Sequence, residues 1–186
     1  MSEYHNTKAE DRVPLGQKLA VGAGGFPIQN GGLVVQYMAQ PIFQIFLGLN
    51  PALFGLAMTI PRIWDAFTDP VMGRISDRTQ SRYGRRRPYV FVGALAVALT
   101  FLTIWMVPQS MGDTGTFLWL TIGSVLFFTA FTVFSVPFNA LVYEQTPDYH
   151  ERTRLMFYLA LFYNIGNLCV NWYVPATNWS GFENPL

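Results

Sequence analysis

Apolar residues gather in five stretches separated by shorter polar ones: within 19–49, within 53–75, and then 89–107, 117–142 and 155–174. Each can supply the roughly 20 residues with which a helix crosses the hydrocarbon core of a bilayer. The connections are short, 48–52 between the first two stretches and 108–116 between the third and fourth. The third stretch carries no charge, but the second holds Arg62, Asp65 and Asp69. Separations of three and four residues project all three from one helix face. A charge at bilayer depth costs roughly 2.5–3.5 kcal/mol on insertion scales, so such groups face a cavity or one another and mark ion or solute paths.

Polar residues in the other stretches keep a helical rhythm as well. Gln29, Gln36, Gln40 and Gln44 are spaced by seven, four and four, with Asn30 beside the first; Asn164, Asn167 and Asn171 are spaced by three and four. Thr132, Ser135 and Asn139 repeat that spacing in the fourth stretch. Three helices with one polar stripe each are what a water-filled cavity between them requires. For any single stripe, amides that tie helices together through hydrogen bonds are the alternative. Gly22, Gly24, Gly25, Gly31 and Gly32 with Pro27 and Pro41 make the first stretch pliable, and Pro61, Pro70 and Pro137 interrupt others. Taken singly, each glycine is explained equally well by tight packing.

The basic residues are placed unevenly. Lys8, Arg12 and Lys18 precede the first stretch, Arg74, Arg78, Arg82, Arg85, Arg86 and Arg87 follow the second, and Arg152 and Arg154 follow the fourth. The opposite connections carry only Asp113 and, past the fifth stretch, Glu183. Positive loops stay inside, which puts the N-terminus in the cytoplasm. Residues 1–18 lack the apolar core of a signal peptide and read as a cytoplasmic tail, leaving 19–186 as the helix bundle. Hydrophobic residues make up 51% and charged ones 12%, about half the charged share of a soluble domain. A soluble bundle would leave the arginine asymmetry unexplained. The mean hydropathy of +0.25 suits helices with polar inner faces. A net charge of +1 gives no attraction to nucleic acid. Cys169 stands alone and reads as a packing residue, while His5 and His150 lie in the tail and a loop, so nothing suggests an enzyme or an organic cofactor.

The run Arg62-Ile-Trp-Asp65-Ala-Phe-Thr-Asp69-Pro70-Val-Met-Gly73, followed by Ser76-Asp77-Arg78-Thr and Gly84-Arg85-Arg86-Arg87-Pro88, resembles the glycoside–pentoside–hexuronide:cation symporters. These are the melibiose-permease branch of the major facilitator superfamily. Gly73, Asp77-Arg78 and Gly84-Arg85-Arg86 are similar to the superfamily's motif between helices two and three. Pro137-Phe138-Asn139, Thr146-Pro147-Asp148-Tyr149 and Glu151-Arg152-Thr153-Arg154 are similar to the family's segment between helices four and five. The resemblance runs over residues 19–174. It implies an all-α, multi-pass membrane protein of the plasma membrane, in bacteria the inner one, with five transmembrane helices of an N-terminal six-helix bundle. It also implies that Asp65 and Asp69 bind the coupling cation, with Thr68 and Thr132 as neutral oxygen donors. Two carboxylates plus hydroxyls suit Na⁺ or a shared proton. Arg62, Asp77, Arg78, Arg82, Arg85 and Arg86 would form a cytoplasmic gate, although the loop arginines would also fix topology without gating anything.

Departures from the family bear on the solute. Gln29 stands where such symporters carry an acid in helix one, Ser135 replaces an acid in helix four, and nothing basic follows Arg154. The expected lining is therefore Gln29, Asn30, Gln36, Ser135, Asn139, Asn164 and Asn167, amides and hydroxyls that can hydrogen-bond a neutral polyol. The leading expectation is the N-terminal part of a cation-coupled symporter for a sugar or a sugar-like neutral solute. A lipid or lysolipid transporter of the same fold, and a truncated, non-transporting membrane partner, are the alternatives. Because the sequence reaches Leu186 after five stretches, the expectation is a fragment whose partners are the solute, the bilayer and a second six-helix half.

Overall fold

The computed structural model describes residues 8, 11–108 and 111–179, without the side chains of Gln29 and of residues 170–179. The expectations attached to the side chains of Gln29 and Asn171, and to Glu183, lie outside the described residues. Among the described residues five α-helices follow one another: α1 (Leu15–Ala39), α2 (Pro51–Arg78), α3 (Arg87–Trp105), α4 (Asp113–Tyr143) and α5 (Tyr149–Trp179). A π-helical stretch, Gln40–Phe46, continues α1, and no strand occurs among the described residues. α1 begins inside the expected tail. Its companions extend the other apolar stretches by a few residues, except that α3 is shifted toward the N-terminus.

The boundaries have local causes. Asn50 caps α2 by accepting the Ala52 N–H at 2.8 Å, and Pro51 occupies the first turn, where its missing N–H costs nothing. Asp148 does the same for α5, its carboxylate accepting the Glu151 N–H at 2.8 Å. Pro41 sits at the start of the π stretch, where the regular i→i−4 ladder gives way, and the Leu47 N–H bonds back to the Ile42 carbonyl at 3.0 Å. Gly48, at φ +67°, closes the stretch, and the Leu49 N–H reaches the Phe43 carbonyl at 2.9 Å with Leu49 buried behind it. That closure through an αL glycine spans one residue more than the 6→1 bond of a Schellman end, in keeping with the wider turn it terminates.

Among the described residues, α3 and α4 are the two helices long and apolar enough to cross a membrane by length and composition alone. The other three carry the amides and charges noted above, which lower their apolarity.

Contacts divide the chain into two units: Met1–Val34 with Val142–Leu186, and Val35–Leu141. In the first, α1 and α5 approach closely; a Cβ on Gly25 would stand 2.7 Å from both Leu159 and Tyr163. The second holds the larger core, built on Val35, Phe43, Leu49, Ile104, Leu120 and Phe127. Its aromatic rings meet in series, Phe43 to Trp105 at 6.4 Å, Trp105 to Phe101 at 5.6 Å and Phe101 to Phe127 at 6.0 Å between centroids, separations at which tilted and edge-on pairs attract. α3 crosses α4 at Gly93, where an added Cβ would lie 2.7 Å from the backbone N and Cα of Phe134. Backbone cannot swing aside, so Gly93→Ala should destabilise the protein by about 1–3 kcal/mol. Gly55→Ala, in open space, is the control. Equal melting temperatures for the two variants would show that the α3–α4 crossing is looser than this geometry.

Candidate cation and solute site

The charged face of α2 sets the geometry. Asp69 accepts a hydrogen bond from Thr132 Oγ1 at 2.9 Å, joining α2 to α4, and Thr132 is buried. One turn earlier, Asp65 Oδ2 lies 3.9 Å from an Arg62 guanidinium nitrogen, while Asp65 Oδ1 is buried with no hydrogen-bond partner. The Arg62 guanidinium also stacks on Phe128, 4.6 Å from the ring centre. Thr68 directs its hydroxyl proton to the carbonyls of Trp64 and Asp65, at 3.2 and 3.4 Å. A hydroxyl that donates to its own helix presents only lone pairs outward. Trp64 Nε1 donates to Thr129 Oγ1 at 2.9 Å. With the Asp69–Thr132 bond it makes a second polar tie between the same two helices.

The result is a cluster of oxygens with more negative than positive charge: two carboxylates, one guanidinium reaching one of them at the edge of ion-pair range, and hydroxyls. An acceptor oxygen buried without a donor is uncommon and costly. A small cation would supply what Asp65 Oδ1 lacks, by ligation if it is a metal ion or by protonation if it is a proton. Of the residues expected here, Asp69 and Thr132 are brought into direct contact, and Asp65 and Thr68 lie on the same stretch of α2.

The expected solute lining is divided between the two units. Asn30, Asn164 and Asn167 belong to the first, and Gln36, Ser135 and Asn139 to the second. Gln36 is exposed, whereas Ser135, Asn139 and Asn167 are half-buried. Asn30 is buried, its Nδ2 donating to the Phe26 carbonyl at 2.8 Å. Its amide packs against α5 so closely that a Cβ at Gly166 would overlap it. Asn164 likewise donates to a carbonyl of its own helix, that of Ala160, at 2.7 Å.

Across the loop between α2 and α3, Asp77 in the last turn of α2 pairs with Arg86 at the N-cap of α3, whose side chain is largely buried. Arg82 lies over the Tyr83 ring at 4.7 Å, and Arg78 and Arg85 are exposed. Arg62 is not part of this loop assembly; its partners are Asp65 and Phe128, deep in α2.

A further charged centre escaped the sequence reading. Glu151, in the first turn of α5 and ahead of its apolar stretch, is 1% exposed. It accepts the Val13 N–H at 3.0 Å, pairs with Lys18, and lies 3.3 Å from Arg154. Beside it, Thr146 Oγ1 donates to the Asp11 carbonyl at 3.0 Å, and Arg152 donates to the Thr146 carbonyl at 3.1 Å. These bonds clasp the segment before α1 to the start of α5. Burial alone would raise the Glu151 carboxyl, but the Lys18 bond and charge, the Val13 amide and Arg154 together outweigh it and hold the group below its ordinary value. The signal available in sequence was one acid inside a basic run, which arginine placement for topology accounts for equally well.

The sequence profile of the MFS/sugar transport protein family matches residues 20–178. An uncharacterized symporter of Synechocystis sp. is 36% identical over 151 residues, 78% of this chain and 28% of its own length. The sodium-dependent lysophosphatidylcholine symporter 1-B of Danio rerio is 32% identical over 149 residues, 80% of this chain and 28% of its own. A protein of Escherichia coli provisionally named a glycoside/cation symporter is 27% identical over 157 residues, 84% of this chain and 33% of its own. The chain thus spans about a third or less of the length of these curated relatives.

Proposed function

The chain belongs to the MFS/sugar transport protein family, whose members are multi-pass membrane transporters and not enzymes, and from that premise we propose that it is the N-terminal part of a cation-coupled symporter. In this reading α1–α5 cross the membrane with the N-terminus in the cytoplasm, and a second six-helix half completes the solute path. The observation that carries the proposal is the Asp69–Thr132 hydrogen bond, with the buried, unpartnered Asp65 oxygen one turn away. Asp65 and Asp69 hold Na⁺ or H⁺, Thr68 and Thr132 contribute neutral oxygens, and Arg62 leaves the empty site with part of its charge compensated. The names of relatives that are sodium-dependent or cation symporters support the coupling.

The solute is a neutral, polyhydroxylated molecule. Amides and a hydroxyl at Gln36, Ser135 and Asn139 can pair with both the donor and the acceptor of a sugar hydroxyl, whereas a buried anion would find no cationic partner among them. A second reading, a lysophospholipid, is supported by the relatives named for lysophosphatidylcholine. Competition binding to the full-length transporter separates them. A neutral glycoside should displace a labelled glycoside more effectively than its uronate does, and Asn139→Leu should weaken that binding by on the order of 1–3 kcal/mol. Displacement by lysophosphatidylcholine at lower concentration than any glycoside would favour the second reading.

A further inference from the structure

Between the α2–α3 loop and the first turns of α3 lies an open groove of about 850 Å³. Arg82 and Tyr83 form one side of it and Arg87 and Phe91 the other. Gly84 makes this shape possible. It sits at φ +98°, its N–H closing a turn onto the Ser81 carbonyl at 3.0 Å, so the loop turns back beside the helix. The loop itself holds no acid and Asp77, in the last turn of α2, is engaged by Arg86, so Arg82 and Arg87 bring positive charge to the groove walls. Tyr83 and Phe91, both largely exposed, add aromatic faces at the same level.

The groove opens onto an apolar track. Phe91, Val92, Leu95, Leu99 and Leu102 are each more than half exposed and recur at helical spacing down α3. α3 is also the helix that buries the least of itself against the protein while being apolar enough to cross a membrane. Cationic and aromatic groups therefore stand where the helix leaves the bilayer, with an unbroken hydrocarbon surface below them. A free phosphate would be complementary to the arginines alone; an amphiphile is complementary to both parts.

We propose that this groove binds the headgroup phosphate of an anionic phospholipid from the adjacent leaflet, with Arg82 and Arg87 as its charge partners and the exposed ridge of α3 receiving an acyl chain. The site is separate from the cation site on α2 and requires no transport to be observed. Basic residues close to a membrane surface attract anionic lipid, each by an amount that alters occupancy severalfold.

The test is native mass spectrometry of the purified full-length protein, taken from phosphatidylcholine nanodiscs doped with phosphatidylglycerol into mild detergent. The wild-type protein should retain phosphatidylglycerol in excess of its share of the bilayer. Arg82→Gln with Arg87→Gln should cut that enrichment by about fivefold per arginine removed. Arg82→Lys with Arg87→Lys should preserve most of it, which separates lost charge from a disturbed fold. Leu99→Gln should lower retention with both arginines in place, and inorganic phosphate should not displace the lipid. Equal enrichment in the wild type and the glutamine pair would overturn the proposal. So would displacement by inorganic phosphate combined with indifference to Leu99→Gln, since the groove would then be a small-anion site.

Discussion

Asp65→Asn and Asp69→Asn should each abolish ion-driven accumulation of solute by the full-length transporter while leaving solute exchange partly intact. The amide is nearly the same size as the carboxylate, and at position 69 its oxygen can still accept the Thr132 hydroxyl now bonded at 2.9 Å. What is lost is the charge. Bonds to charged groups contribute about 1.5–3 kcal/mol, so cation affinity should fall on the order of 10- to 100-fold. At position 65 the change also removes the partner of Arg62, 3.9 Å away, leaving a cation where the coupling ion should bind. Uptake into proteoliposomes under an imposed Na⁺ or proton gradient, compared with counterflow in the same vesicles, separates coupling from binding. Normal accumulation by both variants would remove these carboxylates from the mechanism, and with them the main support for cation coupling in this half of the protein.

The second large effect should come from Glu151. Glu151→Gln leaves Lys18 and Arg154 facing a neutral amide, and Lys18 is itself only 13% exposed on its side chain. Removing one partner of a deeply buried ion pair costs 3–5 kcal/mol; here Arg154 retains water contact, so about 2–3 kcal/mol is expected. The melting temperature in detergent should drop by about 2–4 °C per kcal/mol for a chain of this size. The pH dependence has a definite sign. The folded carboxyl is held below the ordinary glutamate value of 4.5, so its stabilisation is fully present above that value and fades as acidification passes through the folded-state value. Wild-type stability should therefore decline below about pH 4.5 more steeply than that of the Gln variant. Parallel pH profiles for the two proteins would show that the Glu151 charge does not stabilise the clasp.

Where hydrophobic periodicity was undiluted, the chain was legible. The charge-free stretch at 89–107 became Arg87–Trp105, and the three-and-four spacing of Arg62, Asp65 and Asp69 placed Arg62 within ion-pair range of Asp65. The Asp69–Thr132 contact came from family resemblance alone, because no local pattern pairs residues 63 positions apart. Glu151 was opaque for the same reason: its bond to the Val13 N–H spans 138 positions. Periodicity identified the face on which Asn30 lies but not what that face meets, and a neighbouring helix bearing Gly166 presses against it. The resemblance grouped Arg62 with the loop arginines of a gate, while the helical spacing that sets it one turn from Asp65 matches the neighbours it has, Asp65 and Phe128. Pro41 signalled pliability, and only the backbone revealed that the chain widens there into a π stretch.

That widened stretch, Gln40–Phe46, has a consequence for the phase of the polar stripe. Regular α-helix advances about 100° per residue, so a wider turn absorbs an extra residue and carries everything after it to a different bearing. Gln44 does not continue the line drawn by Gln36 and Gln40, although the sequence spacing of four gives all three the same rank. The stretch behaves as a vernier between two segments of one rod. Deleting Pro41 should restore the i→i−4 ladder and leave Gln36 at its present bearing to Leu49, whereas forcing the same number of residues into regular α-helix would turn the two apart by about 100° and re-aim a polar stripe without altering one of its side chains.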